Sequence, residues 1–385
     1  MIYLDHAATT PVAPEVLEAM LPYFTRVYAN PSNVHRPSLE ARRALDQARQ
    51  GVAGQLGARQ ASEILFTAGG TEADNLAILG LARAHRERGD HVITTRVEHH
   101  AVLHACDHLQ REGFRITRLP VDEWGRVDPQ AVLEACGPGT ILVSVMLANN
   151  EIGTLQPVAE IAELLRGREI LLHTDAVQAV GHIPVDVGQL GVDALSLSAH
   201  KFHGPKGVGA LYLKTGTRIE PLVFGGGQER GLRSGTENVP GVVGLARALE
   251  LACTGREERA EHLRALRNRL VKRVLGELPG AHLTGHPELR LPGTASFVFE
   301  GAEGESLLLQ LDRKGICVST ASACSNATLE PSHVLKALGL PLQLAHGSLR
   351  LTLGRENTVE EMDQAALALV EAVRRLRSLA PRSRN

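Results

Sequence analysis

The feature that most constrains the fold is a regular alternation in the middle of the chain, from about residue 60 to residue 215. Short runs rich in β-branched residues alternate there with longer segments of helical character. The strand-like runs are EILFT, HVITT, FRITRLP, TILVSVM, EILLHTD, ALSLSA and GALYL. This alternation is typical of a mostly parallel sheet wrapped by helices, and it predicts an α/β fold.

Polar residues or glycines directly follow several of these runs. In open parallel sheets, ligands bind beyond the carboxyl ends of the strands. The candidate positions are therefore Gly69 to Thr71, Glu98 and His99, Asn149 and Asn150, Asp175, and Ser198 to Lys201.

The chain is longer than one core usually grows, so we expect two domains. A glycine-rich passage at 224–241 ends the alternation, and a long charged segment at roughly 256–277 is typical of an exposed helix that connects domains. We predict a large domain at 15–255. Residues 1–14 and 256–385 would form a smaller α/β domain.

The composition excludes several classes of protein. With 43% apolar residues, 22% charged residues and a formal charge of -2, the chain offers no general attraction to nucleic acid. It lacks a signal-like N-terminus and any apolar run near the roughly 20 residues that span a bilayer. We therefore expect a cytoplasmic protein. Five cysteines without CxxC pairs argue against a disulfide framework and a structural zinc site, and they predict free thiols.

Two motifs follow predicted strands. In FTAGGTEADNLAI, Thr71 and Asp74 have the spacing of a capping box, and free amides at that helix start could hold a phosphate; an ordinary tight turn fits as well. In SLSAHKFHGPKGVGALYL, Lys201 lies beside Ser198, His200 and His203. Because a buried unpaired ammonium is costly, Lys201 is either a surface residue or a reactive amine.

Asp175 and the histidines leave alternatives open. Asp175 could be a turn residue or a carboxylate that keeps a proton on a ring nitrogen, and Gln178 can point the same way. His100, His104 and His108 have helical spacing but lack an HExxH glutamate or paired cysteines. A solvated histidine face fits them better than a metal site, and we predict no metal. His99, just before that helix, is set apart.

Two residues of the last third also carry chemistry. Cys324 lies among small polar residues in TASACSNATLEP, which predicts an accessible thiol. Arg350, in SLRLTL, interrupts an apolar alternation. It could be an edge-strand charge or a bidentate clamp for a carboxylate.

A phosphate cradle, a carboxylate for a ring nitrogen, a stackable imidazole and a reactive lysine together predict pyridoxal phosphate chemistry. The chain strongly resembles the cysteine desulfurases of the NifS and IscS type, which are fold-type I enzymes of the class V aminotransferase group. The motifs that carry this resemblance are YLDHAATTP, NPSNVH, GGTEADNLAI, VEHHAVL, NNEIGTLQP, HTDAVQAVG, SAHKFHGPKGVG, RSGTENVPG, SACSNATLEPSHVLKALG and LRLTLGR. They cover nearly the whole chain.

The resemblance implies a homodimer that converts L-cysteine to L-alanine. Lys201 would carry the cofactor, Asp175 would pair with the pyridine nitrogen, and Cys324 would accept the sulfur as a persulfide. Gln178 would bond the ring hydroxyl, and His99 would stack on the ring and help in acid-base steps. Phosphate binding is implied for Thr71, Ser198 and His200, and a contact with the partner's phosphate for Thr236. Cofactor binding is implied for Gly70 and Asn150, and substrate carboxylate binding for Asn150 and Arg350.

The sulfur acceptors implied are proteins of iron-sulfur cluster assembly or tRNA thiolation. The continuation SNATLEPS resembles the group with an extended mobile loop, although Ala321 replaces a glycine common among relatives and restricts the backbone. The alternatives are a selenocysteine lyase or another class V aminotransferase-like enzyme, a weakly active scaffold for sulfur-handling proteins, and a zinc hydrolase built on the histidine face.

Overall fold

The computed structural model describes residues 1–320 and 331–379. The strands are β1 (Ile2–Tyr3), β2 (Ile64–Thr67), β3 (His91–Thr95), β4 (Arg115–Leu119), β5 (Thr140–Ser144), β6 (Leu171–Asp175), β7 (Ala194–Ser198), β8 (Gly209–Leu213), β9 (Ala281–Leu283), β10 (Thr294–Phe299), β11 (Ile316–Cys317) and β12 (Ser348–Thr352). The α-helices are α1 (Pro14–Met20), α2 (Pro22–Thr25), α3 (Arg36–Gln55), α4 (Gly70–Asn75), α5 (Leu81–Ala84), α6 (His100–Arg111), α7 (Pro129–Ala135), α8 (Val158–Leu165), α9 (Val187–Leu190), α10 (Val239–Cys253), α11 (Arg256–Glu277), α12 (Gly304–Asp312), α13 (His333–Ala337), α14 (Leu342–Ala345) and α15 (Val359–Leu379). A π-helical turn (Leu76–Gly80) joins α4 to α5, and 3-10 turns occur at Ala61–Glu63, Ala199–Lys201 and Gln228–Gly231.

The central sheet has seven strands in the order β2-β8-β7-β6-β5-β3-β4. Strands β4, β3, β5, β6 and β7 pair in parallel, and β8 runs antiparallel to both of its neighbours. Each of the seven predicted runs contains one of these strands. The predicted mostly parallel sheet is therefore confirmed.

Alternate side chains of the central strands enter two different cores. Ile93 and Val143 pack on one face of the sheet, within the core that includes α3, α8 and α10. Their neighbours Val92 and Leu142 pack on the other face, with α4, α5 and α6. Because successive strand residues point to opposite faces, a sheet covered on both sides needs apolar residues at consecutive positions.

A second, smaller unit of packing lies in the C-terminal third. Strands β12, β10 and β9 form an antiparallel sheet, and its core includes buried residues of α11, α12 and α15. Strand β1 pairs in parallel with β11, so Ile2 and Leu4 belong to this core, whereas Ala13 belongs to the core of the large sheet. This distribution is compatible with the predicted domain boundaries, which stay a prediction.

Helix α11 has the predicted bounds but not the predicted exposure. Leu263, Leu266, Leu270 and Val274 are buried at intervals of three or four residues, which is the stripe of an amphipathic helix packed on a core. The expectation of an exposed helix holds for the polar face of α11 and was wrong for this apolar face, which is part of the smaller core. Although α11 has 22 residues, neither it nor any other described helix combines the length and the apolar character of a membrane span.

Candidate active site

A cavity of about 300 Å³ lies at the edge where the parallel strands end. Its volume falls within the range of small-molecule sites. The predicted residues that line it are Gly70, Thr71, His99, Asn150, Asp175, Gln178, Ser198, His200, Lys201 and Arg350. Thr236 is exposed and is not among the lining residues found in the described part of the chain. Cys324 and Ala321 lie outside the described residues.

Lys201 reaches the cavity from the 3-10 turn that follows β7. Its Nζ donates hydrogen bonds to the carbonyl oxygens of Ala7, at 2.6 Å, and Ala8, at 2.9 Å. The side chain is partly buried, so the reading of Lys201 as an ordinary surface lysine is disfavoured. The carbonyl groups of Ala7 and Ala8 therefore hold the Lys201 amine at the cavity, where it can contact a ligand.

Asp175 is the last residue of β6 and is 4% exposed. The backbone N–H of Val177 donates to its Oδ1 at 2.9 Å, which is a turn contact. Burial raises the pKa of Asp175 to about 6, while the Val177 N–H and the charge of Lys201 lower it. The carboxylate is therefore mostly ionised at neutral pH, so it can serve both as a turn residue and as a partner for a protonated ring nitrogen.

His99 is the N-cap residue of α6, and its Nδ1 accepts the backbone N–H of Ala101 at 3.1 Å. Burial lowers the pKa of His99 to about 4, and the charge of Lys201 lowers it further. The ring is therefore neutral at physiological pH. Because Nδ1 is an acceptor, the proton lies on Nε2, which leaves that atom as a donor.

The start of α4 corrects one prediction. The N-cap is Gly69 and has no side-chain cap, so the capping box proposed for Thr71 and Asp74 was wrong. Instead, the carboxylate of Glu72 accepts the backbone N–H of Ala68 at 2.9 Å. In a capping box, Thr71 would be the N-cap residue and the helix would begin after it. The helix instead begins at Gly70, so Thr71 already lies inside the first turn.

The open side of the cavity is lined by small and polar groups. A Cβ on Gly70 would lie 2.7 Å from the Cγ2 of Val177, so a larger residue does not fit there without a shift. Ser198 is buried at the end of β7, and the Nδ1 of His200 lies 3.1 Å from the Oγ1 of Thr9. Burial, followed by the charge of Lys201, lowers the pKa of His200 to about 4.

Arg350 lies on β12, an edge strand, but its side chain is only 6% exposed. Its Nη1 donates to the backbone oxygen of Asn150 at 2.8 Å, and its Nη2 donates to the Oδ1 of Asp5 at 2.9 Å. A solvent-facing edge charge is therefore disfavoured. The guanidinium lines the cavity and can meet a ligand carboxylate there.

Sequence reasoning missed the contribution of the N-terminal strap, which we define as residues 5–10. Asp5 contacts Arg350, the carbonyl of Ala7 accepts the Nε2 of Gln178 at 3.0 Å, and the carbonyl oxygens of Ala7 and Ala8 accept Lys201. The signal in the sequence was the motif YLDHAATTP, which carried part of the family resemblance while residues 1–14 were assigned only to the smaller domain.

Asp74 is a second cavity residue that the sequence did not predict. It is 1% exposed and lines the cavity, and its Oδ1 has no hydrogen-bond partner within the described residues. Burial and the neighbouring charge of Asp175 hold the pKa of Asp74 well above its usual range. The sequence around Asp74 resembles the start of a helix, and its burial results from contacts of α4 with strands of the central sheet.

The histidine face and the four described cysteines are not among the residues that line this cavity. The ring of His100 is 5.0 Å from that of His104 and 4.7 Å from that of His333, centroid to centroid. Within residues 1–320 and 331–379, no group of three or more histidine, cysteine or acidic side chains is arranged to hold a metal ion. The predicted free thiols are confirmed for the four cysteines in those ranges, at positions 106, 136, 253 and 317.

Comparison with known proteins identifies the family. The model of class-V aminotransferases matches residues 2–365. The cysteine desulfurase IscS of Methanosarcina thermophila is 52% identical over 380 residues, which cover 99% of this chain and 94% of that protein. A solved NifS-like protein is 41% identical with a TM-score of 0.91, covering 97% of this chain and 99% of its own. The structure of SspA in complex with cysteine is 36% identical with a TM-score of 0.80, and the match covers 93% of this chain and 100% of that one. These matches confirm the resemblance that the motifs indicated: the chain belongs to the class-V aminotransferase family, among the cysteine desulfurases of the IscS and NifS type.

Proposed function

We propose that this protein is a pyridoxal phosphate-dependent cysteine desulfurase. Its family consists of pyridoxal phosphate enzymes, and relatives about half identical over the full chain are named cysteine desulfurase. The observation that carries the proposal is the meeting of Lys201, Asp175 and His99 in one cavity, each supplied by the end of a different strand.

The residues present fit this cofactor. Asp175 provides a buried carboxylate for the pyridine nitrogen, and the neutral ring of His99 provides a flat surface for stacking. Polar groups suited to a phosphate line the open side, from Gly70 and Thr71 to Ser198 and His200, and Gln178 would bond the ring hydroxyl. Pyridoxal phosphate supplies an electron sink for the electron pair left on the substrate carbon when a bond to it breaks.

Each side chain then has a defined task. Lys201 would bind the cofactor covalently, and its amine, once released, would remove the α proton of the substrate. Asp175 would hold a proton at the pyridine nitrogen, and the Nε2–H of His99 would donate to the reacting groups. Asn150 and Arg350 would bind the substrate carboxylate.

The sulfur step belongs to Cys324, outside the described residues, and its support is the motif SACSNATLEPS together with the family. The thiolate of Cys324 would attack the substrate sulfur, forming an S–S bond as the substrate C–S bond breaks. The electron pair of the broken bond stays on carbon, which gains a proton. Cysteine and a thiol thus become alanine and a persulfide, which passes to acceptors of iron-sulfur cluster assembly or tRNA thiolation.

We also propose that the enzyme is a homodimer in the cytoplasm. Thr236 would contact the cofactor phosphate of the partner subunit. The exposure of Thr236 and its position outside the cavity lining support a contact across an interface rather than within one chain.

Purified protein supplied with pyridoxal phosphate and L-cysteine tests this function. We expect alanine and an enzyme persulfide in equal amounts during the first turnover, measured by amino-acid analysis and mass spectrometry. Lys201→Ala should lose borohydride-fixed cofactor and alanine formation, because no other amine is expected to replace it. Lys214→Ala is the control, since that lysine is half-exposed and pairs with Asp193 on the surface.

Cys324→Ser separates a desulfurase from an aminotransferase or a lyase that needs no thiol. It should keep its cofactor but lose alanine and persulfide together. Full alanine production by Cys324→Ser, or no alanine from the wild-type protein, would refute the proposed function.

A further inference from the structure

A carboxylate of the N-terminal strap pairs with the proposed substrate-binding arginine. The Oδ1 of Asp5 accepts the Nη2 of Arg350 at 2.9 Å, and the two side chains are 19% and 6% exposed. Both residues line the cavity. A guanidinium this buried needs a charged partner, because an uncompensated buried charge is strongly destabilising.

The hydrogen-bond donors of Arg350 are only partly used by the protein. One donor of Nη1 bonds the backbone oxygen of Asn150, and one donor of Nη2 bonds Asp5. The Nε–H is buried and has no hydrogen-bond partner in residues 1–320 and 331–379. A guanidinium has five N–H donors and can bind a carboxylate through two of them in parallel. Nη1 and Nη2 each carry a second N–H, so Arg350 keeps donors for a ligand in the cavity that it lines.

Asp5 is held firmly relative to Arg350. It forms a parallel β-bridge with Thr352, two residues beyond Arg350 on the same strand. The backbone N–H of Ala7 donates to the Oγ1 of Thr352 at 2.9 Å. The single hydroxyl proton of Tyr3 is shared by the backbone oxygens of Thr9, at 2.9 Å, and Asp5, at 3.1 Å. These bonds fix the strap to β12, so the position of the Asp5 carboxylate is set before any ligand arrives.

We propose that Asp5 is a positioning residue for substrate recognition, which holds the guanidinium of Arg350 so that its remaining N–H donors face the carboxylate of an α-amino acid. This inference rests on the proposed function, because it assigns Arg350 to the substrate carboxylate. Asp5 itself does not touch the substrate. Its contribution is orientation: a guanidinium already fixed in its binding geometry loses less conformational freedom when the ligand binds.

The test compares a ligand that has a carboxylate with one that lacks it. L-Alanine and cysteamine are titrated into the cofactor-loaded enzyme and its variants by calorimetry. Asp5→Ala should weaken L-alanine binding by about tenfold, the loss expected for one charge-assisted hydrogen bond, and cysteamine binding should change by less than about twofold. Asp5→Asn keeps an acceptor oxygen, so it should weaken L-alanine binding by only about threefold.

Kinetics and a double-mutant cycle extend the test. The KM for L-cysteine should rise in Asp5→Ala by about the same factor as the dissociation constant for L-alanine, with a smaller effect on kcat. In an Arg350→Ala background, Asp5→Ala should add no further loss, because the group through which it acts is gone. Asp363→Asn, which breaks a surface pair with Arg269, is the control and should bind both ligands normally.

Three results would overturn the assignment: unchanged or tighter L-alanine binding by Asp5→Ala, an equal loss for cysteamine, or an undiminished loss in the Arg350→Ala background. If Asp5→Ala does not fold, Asp5→Ser serves in its place, because its hydroxyl is too short to reach Nη2. L-Alanine binding does not require sulfur transfer. A wild-type protein that makes no alanine from cysteine would therefore refute the proposed function without deciding the role of Asp5.

Discussion

His99 combines a structural and a chemical task in one ring. Its Nδ1 caps α6 through the N–H of Ala101, and this contact leaves the proton on Nε2. In the sequence, His99 could be distinguished from the histidines that follow it because His99 lies at the carboxyl end of a predicted strand. The capping contact explains why its orientation is fixed.

His99→Asn should separate these tasks. Asparagine is an equally good N-cap residue, so the stability of the apoprotein at pH 8 should change by less than about 0.5 kcal/mol. Alanine formation should fall by about 100-fold or more, because the ring that stacks and donates is lost. Urea unfolding and steady-state assays measure the two effects. His104→Asn, on the exposed face of α6, is the control, and an active His99→Asn enzyme would contradict the role.

The same variant predicts a pH dependence of stability. The folded-state pKa of His99 is about 4, below its ordinary value of 6.5, so protonation favours the unfolded chain. The stability contributed by the neutral ring is complete above pH 6.5 and is lost as the pH falls toward 4. Relative to wild type, the His99→Asn apoprotein should therefore gain about 1 to 2 kcal/mol between pH 8 and pH 5. An unchanged difference in unfolding free energy would contradict the depressed pKa.

Residues at strand ends could be predicted from sequence, and others in the same cavity could not. Lys201, Asp175 and His99 follow local apolar runs, and the general position of ligands in parallel sheets then brings them together. Asp5 and Asp74 owe their position to distant contacts. Asp5 meets Arg350 across 345 residues of sequence. Asp74 lies on α4, which packs on β7 and β8, two strands far from it along the chain.

Among the elements, the strands of the central sheet were easier to recognise than α11. A strand buried on both faces is a short, continuous apolar run, which stands out in the sequence. Helix α11 carries its apolar residues as a narrow stripe among arginines and glutamates, so its overall composition suggested exposure. Helix α11 packs on α15, which lies about 90 residues later, and no local sequence pattern predicts that contact.

Leu270→Ala tests whether α11 is part of the smaller core. Leu270 is fully buried, so its truncation should lower the free energy of unfolding by about 2 to 5 kcal/mol through lost burial and the cavity left behind. Leu275→Ala, on the same helix but 39% exposed, should cost less than about 1 kcal/mol. Urea unfolding of both variants measures the difference. Equal and small effects would mean that α11 is a connector after all.

At the scale of the whole molecule, the cavity depends on both packing units. The large sheet supplies Lys201 and Asp175, while Arg350 comes from the smaller antiparallel sheet. The N-terminal strap crosses between the two cores and contacts residues from each. The sequence could suggest two domains from length and from a change of pattern. It could not show that the first residues would complete the site, because that follows from how the two units pack.

The surface around the glycine-rich passage supports the proposed homodimer. Phe224 is 82% exposed and Val223 is 42% exposed, close in sequence to the exposed Thr236. Large apolar side chains that are exposed to solvent next to each other are typical of interaction surfaces. A contact between two copies through this passage would bury them and bring Thr236 toward the partner's cofactor.

This arrangement predicts different outcomes for two variants. Phe224→Glu should raise the dimer dissociation constant by about 100-fold, because it places a charge where an apolar side chain is buried, whereas Thr236→Ala should leave the dimer intact. Thr236→Ala should instead weaken cofactor binding by about tenfold, the loss of one hydrogen bond to a charged phosphate. Analytical ultracentrifugation at micromolar concentration and cofactor retention during dialysis measure the two effects.

Leu309→Glu, at an exposed position of α12, is the control for an added charge. A fully active monomer would refute the interface, and unchanged cofactor retention in Thr236→Ala would remove Thr236 from it, because a phosphate ligand in the partner cannot be lost without loosening the cofactor.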